Sequence, residues 1–262
     1  TSGNFDNTVV VRLLNSFPDN VKVRYTLNGY APSQTSALFP DSIEIAATAV
    51  LKLIAFDDDT TIFHSFCEFN TYFINEEFSL PVFSVAADQL TDLAEGDREL
   101  RPVGSIEYFD LSRTRKSVGY GELNSHGQDS WVLNQRSLDW ITRDEMGYSA
   151  AIYQPIFDLS EREEFQRFIF RASGDDNYPA INDGAHEGST HLRDEYVHTL
   201  AKEGNMSLDV RTAQRCIVFL NGEYWGVYAV RERPDDHDYT DFYYKQDKYD
   251  LQYLATWGGS WA

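Results

Sequence analysis

The sequence predicts an α+β protein overall, with an all-β sandwich over residues 1–75 followed by a mixed α/β region over residues 80–262. Three observations predict it. Before residue 75, short β-rich runs are separated by turn signals at intervals of about ten residues, the pattern of a small sandwich. From Leu80 the texture changes, and helical spacing appears between the strand-like runs. Near the end, Asn221-Gly222 separates two apolar runs, the strongest short-range signal for a β-hairpin because both residues tolerate positive φ.

The elements follow in order. Val21, Val23, Tyr25 and Leu27 alternate with Lys22, Arg24, Thr26 and Asn28, the period of two that marks a half-buried strand, and Asn28-Gly29 is its turn. Ile43 and Ile45 open a second strand, residues 50–56 a third and residues 62–74 a fourth, with Asn75-Glu76-Glu77 as connector. Residues 80–85 then form a strand and 87–93 a short helix. Residues 105–111 and 116–125 pair as a hairpin across the polar turn 112–115, and 136–143 is a further strand. Ser160 to Glu163 has capping-box spacing for a short helix. Residues 165–172 read as a strand, since Phe168 and Phe170 alternate with Ile169 and Arg171. A polar loop with Pro179, Gly184 and Gly188 precedes the clearest helix, from 189 or 190 to 203. Leu192, Tyr196, Val197 and Leu200 give that helix its apolar stripe, and Gly204 its end. Residues 216–230 are the hairpin around Asn221-Gly222.

Composition narrows the partners. Lys and Arg number 22 against 42 Asp and Glu, for a net charge of −20, which argues against nucleic acid and against anionic lipid. With 16 Tyr, 17 Phe and 5 Trp the chain is rich in residues that favour strands. Cys67 and Cys216 are too few for a disulfide framework and read as two buried thiols. No run has the length of a membrane span. A start at Thr1 without Met predicts a processed chain, and the glycine-rich end from Trp257 to Ala262 predicts that the natural chain continues.

Residue patterns alone do not identify a reaction. His191 and His198 share a helix face but lie about 10 Å apart along the axis, too far for one metal without other ligands, so both read as solvent-facing. The acidic groups 57–59, 175–176 and 235–238 lack calcium-loop spacing and read as solvated loops; no metal site is assigned. Gly104, Gly119, Gly121 and Gly127 could let backbone approach a phosphate, but neither nucleotide fingerprint is present. No nucleophile elbow exists and neither cysteine has an adjacent base, so no catalytic residue is assigned. Trp225 and Tyr228 read as core aromatics.

Four stretches carry a resemblance: Ser137-Leu138-Asp139 with residues 143–148; residues 165–171 with Asp176-Asn177-Tyr178-Pro179; Leu192-Arg193-Asp194; and Asn221 to Glu232. Together they make the chain from about Leu80 onward resemble the CotH family, proteins similar to spore coat protein H that are atypical secretory kinases. Residues 241–244 and 254–257 point to the subgroup in large bacterial surface proteins. The stretch from Val23 to Pro32 resembles the small sandwich at the C-terminus of chitobiase and hexosaminidase chains.

The CotH resemblance implies that residues 80–262 hold part of a kinase-like N-lobe, with ATP and Mg²⁺ as cofactors. In that plan Arg136 is the phosphate cation, where the family typically has Lys, Asp194 or Glu195 is the helix acid, and Glu232 is the hinge-side group. The competing expectations are surface pairs, Arg136 with Asp139 or Asp144, and Glu232 with Arg231 or Arg233. The resemblance further implies an extracytoplasmic bacterial protein, secreted or at the cell surface, acting on a secreted or surface protein. The carboxylates that hold Mg²⁺ are expected in a downstream half beyond Ala262. The alternative is a non-catalytic adhesion or polysaccharide-associated protein.

Overall fold

The computed structural model describes residues 1–178, 188–247, 249–254 and 260–261. Pro179, Gly184, His186 and the stretch 255–259 lie outside the described residues.

The first 74 residues build two facing sheets. β1 (Gly3–Phe5), β3 (Val21–Thr26), β4 (Ala37–Leu38), β6 (Ala49–Asp57) and β7 (Glu68–Ile74) form a five-stranded sheet in the order β1-β7-β6-β3-β4. β2 (Val9–Val11) and β5 (Ile43–Ile45) pair opposite it, and Ile43, Ile45, Leu51, Tyr72 and Ile74 fill the space between. The fourth expected strand is shorter than its sequence suggests, because Ile62 to Phe66 lie outside β7, with Phe63 and Phe66 exposed.

The rest is built on a closed seven-stranded barrel. Its strands are β8 (Val82–Ala87), β9 (Val103–Phe109), β10 (Arg115–His126), β11 (Ser137–Thr142), β14 (Arg167–Arg171), β15 (Ala213–Leu220) and β16 (Glu223–Arg231). The two-residue strands β12 (Ile152–Tyr153) and β13 (Glu164–Phe165) pair beside it. Around the barrel the order is β10-β11-β14-β16-β15-β8-β9, antiparallel except where β15 meets β8. Phe83, Leu123, Leu138, Trp140, Phe168, Phe170 and Tyr228 point inward and pack into one apolar core. Gly104 and Gly121 face each other across β9 and β10. A Cβ on Gly104 would lie 2.1 Å from the Ala86 oxygen, and one on Gly121 2.1 Å from the Ile141 oxygen. These glycines serve close strand contact.

Among the described residues three α-helices accompany the barrel: α1 (Leu90–Glu95), α2 (Arg193–Glu203) and α3 (His237–Tyr244). With 38 % strand against 14 % helix, the protein is mostly β, where an α+β balance was expected. Ser160 to Glu163 form no helix; Ser160 Oγ meets the Tyr243 hydroxyl at 2.6 Å and accepts the Arg162 backbone N–H. The stripe on α2 also departs from expectation. Tyr196, Val197 and Leu200 are exposed and only Ala201 is buried, because the helix packs through its charged side.

Sandwich and barrel meet along a closely packed seam. Phe73 stands edge-on to Phe78, Phe109 and Phe219, with ring centres 5.0–5.1 Å apart. Buried Glu107 accepts hydrogen bonds from the Thr71 and Ser2 hydroxyls and pairs with Arg115 at 2.8 Å. Lys52, fully buried, donates to the Ala86 oxygen at 2.7 Å, and burial lowers its pKa to about 8. The Asn221-Gly222 turn has φ of 53° and 87°, as its sequence requires. It ends at this seam, where Asn221 Oδ1 accepts the Ala87 N–H at 3.0 Å and Gly222 faces Ala49.

Candidate functional site

The inward alternation of Phe168 and Phe170 leaves Arg167, Ile169 and Arg171 on the outer face of β14. The same period puts Arg231 outward on β16 and Arg215 outward on β15. Arg171 and Arg215 both pair with Ala229, so two guanidinium groups flank one small residue. Among the described residues, this outer face gathers an unusual share of the chain's few cations.

Helix α2 lays its first turn on these arginines. Asp194 Oδ2 lies 3.0 Å from Arg171 Nη2 and 3.0 Å from Arg231 Nη1, and Glu195 Oε2 lies 2.9 Å from Arg215 Nη2. Burial would raise the Asp194 pKa, but Arg171 and Arg231 hold it below the usual carboxylate range. The helix start is fixed by Asp176, whose carboxylate accepts the backbone N–H groups of Thr190, Leu192 and Arg193 at 2.7–2.9 Å. Those bonds outweigh burial and keep its pKa low. Beside this set, Asp139 Oδ2 bridges Arg167 Nη2 at 2.6 Å and Arg233 Nη1 at 2.5 Å.

Two features separate this face from an ordinary ion-pair network. Four of its side-chain atoms are buried without a hydrogen-bond partner: Asp139 Oδ1, Glu195 Oε1, Arg215 Nε and Arg231 Nε. Buried polar atoms are rarely left so. Several guanidinium groups also collect here, in a chain of net charge −20. Burial and the nearby Arg233, Arg231, Arg171 and Arg211 push His126 down to about 3.

The three residues predicted from sequence fall in three places. Arg136 precedes β11, and its guanidinium donates to the Trp131 oxygen at 2.8 Å, the Ala94 oxygen at 3.1 Å and the Asn134 oxygen at 3.4 Å. It thus ties down the end of α1 and meets neither Asp194 nor the acids proposed as surface partners. Asp194 is at the arginine face, with Arg171 and Arg231 supplying the cations expected from Arg136. Glu232 is fully buried elsewhere, facing Arg162 at 3.5 Å and accepting from the Tyr243 hydroxyl at 3.1 Å. Burial raises its pKa, against the pull of Arg162. Arg162 is therefore its partner, in place of Arg231 or Arg233. Sequence reasoning missed Arg171, Arg215 and Arg231, although each sits one step out of phase with inward apolar residues. The histidines differ too, since His191 is only 2 % exposed and precedes the helix instead of facing solvent on it.

Comparison with known families bears on this arrangement. Residues 1–62 match the chitobiase/beta-hexosaminidase C-terminal domain, and residues 123–255 match the family described as CotH kinase protein. The chain belongs to the CotH kinase protein family. The CotH match begins in β10 and takes in β11, β14, α2, β15 and β16, the elements that carry the arginine face. It leaves out β8 and β9, which close the barrel. No curated protein matches the chain.

The family implies a nucleotide, and the residues present fit its phosphates better than its metal. Guanidinium groups with unpartnered N–H donors suit a polyphosphate. Among the described residues no group of three His, Cys, Asp or Glu side chains is placed to hold a metal ion. Nor is any helix among them long and apolar enough to cross a membrane.

Proposed function

We propose that this protein carries the nucleotide-facing part of a CotH-type, extracytoplasmic bacterial kinase, with the outer face of β14, β16 and β15 receiving the phosphates of ATP. The observation that carries the proposal is the clamp of Arg171 and Arg231 on Asp194, with Arg215 Nε and Arg231 Nε left without hydrogen-bond partners. The element order supports the kinase-like reading. A hairpin, β9 and β10, is followed by β11; α2 then precedes β15 and β16, and in space β16 lies on the β11 side of β15. We read this as a kinase-like order in which β11 pairs with β10, β14 is inserted and β8 closes the sheet.

In this reading ATP supplies the phosphoryl group. Arg171 and Arg231 hold its phosphates, and Asp194 keeps both guanidinium groups in place. Arg136 acts on α1 and Glu232 on Arg162 and Tyr243, so neither touches nucleotide through its side chain. None of the described carboxylate groups is assigned to Mg²⁺ in this reading. The sandwich places this face near a surface or polysaccharide, where a secreted or surface protein is the phosphoacceptor.

Titration of the chain with ATP in the presence of Mg²⁺, followed by calorimetry, tests the proposal. Binding that weakens in Arg171→Ala and is competed by tripolyphosphate is expected. An absence of heat at millimolar nucleotide would sink it.

A further inference from the structure

A second site lies where Tyr178 and His191 meet the start of β16. It is a cleft of about 560 Å³ walled by Tyr178, Tyr224 and Trp225, with Asn134, Gln135 and His191 as its polar lining. That volume falls within the range of small-molecule sites. We propose that this cleft binds a neutral saccharide, the rings packing on Tyr178, Tyr224 and Trp225 while a sugar hydroxyl donates to His191 Nε2.

Hydrogen bonds hold the described walls of the cleft. Gln135 Nε2 donates to the Val227 oxygen at 2.8 Å, and Asn177 Nδ2 holds the Gln135 oxygen at 2.9 Å. The His191 N–H donates to the Asp176 oxygen at 3.0 Å, and the Ser173 hydroxyl to the His191 oxygen at 3.2 Å, which fixes a backbone with φ of 62°. Tyr178 packs edge-on to the imidazole, with ring centres 4.7 Å apart.

The polar atom that needs a ligand is on His191. Its side chain is buried, and Nε2 has no hydrogen-bond partner. Burial, with Arg215 nearby, lowers its pKa to about 4, and the ring also bonds to the backbone of Ala172. Because Nε2 is the free nitrogen, the Ala172 bond belongs to Nδ1–H, and Nε2 presents a lone pair. A neutral donor such as a hydroxyl satisfies this acceptor without a change of charge.

The lining selects among ligand classes. Among the described residues none of the six side chains is charged at neutral pH, so they offer a polyphosphate no counter-charge. The Val227 oxygen already accepts Gln135 Nε2, which disfavours addition of a peptide strand to β16 at that point. Aromatic faces with neutral amides and an imidazole acceptor match a ring that is apolar on its faces and hydroxylated at its edge. This inference does not rest on the nucleotide reading, because no arginine of that face lines the cleft.

The test is calorimetry on the full chain with cellotriose, chitotriose, xylotriose and maltotriose, each at millimolar concentration. At least one should bind, and Tyr178→Ala and Tyr224→Ala should each weaken it by about tenfold, the worth of one aromatic contact. Both tyrosines are more than half exposed, so the variants keep the fold. His191→Gln should weaken the same saccharide, and tripolyphosphate should not displace it. No heat with any of the four overturns the proposal. So does binding that survives both tyrosine variants, which would assign the saccharide to another surface such as the sandwich.

Discussion

The seam between sandwich and barrel and the arginine face on the barrel's outside both bury charge, and they handle it in opposite ways. At the seam every buried ionic group described has a partner. Glu107 is held by Thr71, Ser2 and Arg115, and Lys52 by the Ala86 oxygen. On the arginine face Asp139, Glu195, Arg215 and Arg231 each leave one buried atom unpartnered. Among the described residues, all buried side-chain atoms without partners lie between Asp139 and Asp236. Satisfied burial is what a structural joint needs, since an unpaired polar group costs about 1–3 kcal/mol. Unsatisfied burial of several groups on one face is what the proposed phosphate site would complete.

Phe73→Ala is the strongest way to break this contrast. Phe73 is 1 % exposed and touches three other rings at the seam. The cavity should cost about 3–5 kcal/mol in urea denaturation, and hydrogen exchange should rise in both sheets it joins. Equal protection in parent and variant would mean that the seam is not a joint.

The next effect is of pH. His126 and His191, lowered to about 3 and about 4, bind protons less tightly folded than unfolded, where the value is 6.5. Their contribution is therefore complete above 6.5 and is lost as pH falls toward the folded values. Each should cost about 1 kcal/mol between pH 6.5 and about 5.5. Asp236, raised to about 6 by burial and by Asp238, acts in the opposite sense, favouring the fold at low pH. The informative quantity is thus the difference between parent and His126→Gln, whose stability should fall less on acidification. Parallel curves would refute the lowering of His126 by burial and the neighbouring arginines.

Arg171→Ala should lower ATP affinity about tenfold, the worth of one charge-assisted contact. Asp194 keeps Arg231, so the melting temperature should change little. If stability falls while nucleotide affinity holds, the arginine face is a structural network like the seam.

The smallest effect is that of Arg136→Ala. It removes the donors on the Trp131 and Ala94 oxygens and should cost about 1 kcal/mol, with ATP affinity unchanged. A large loss of affinity would instead return Arg136 to the phosphate role implied by family resemblance.

Much of the fold was legible because its signals are local. The period of two in residues 165–172, the Asn221-Gly222 turn and the change of texture at Leu80 each depend on neighbours in sequence. The α2 stripe misled for a matching reason. Helical spacing shows which residues share a face but not which face is covered, and here Asp194, Glu195 and Lys202 face the barrel. At the candidate site, Asp194 was legible as a helix acid from its motif. Arg171, Arg215 and Arg231 were not, because each sits on a different strand and becomes a neighbour of the others only through strand pairing.

By itself, then, the sequence determined the strands, the turns, the family and the scarcity of positive charge. It could not say where that charge would collect, since the order β11-β14-β16-β15 is a product of long-range pairing. Only the closed barrel decides that Arg171 and Arg215 flank Ala229 and that α2 meets them with its acids. Electrostatic pairing acts across space at a few ångströms, and residues 171, 194, 215 and 231 come within that reach only once the chain has folded.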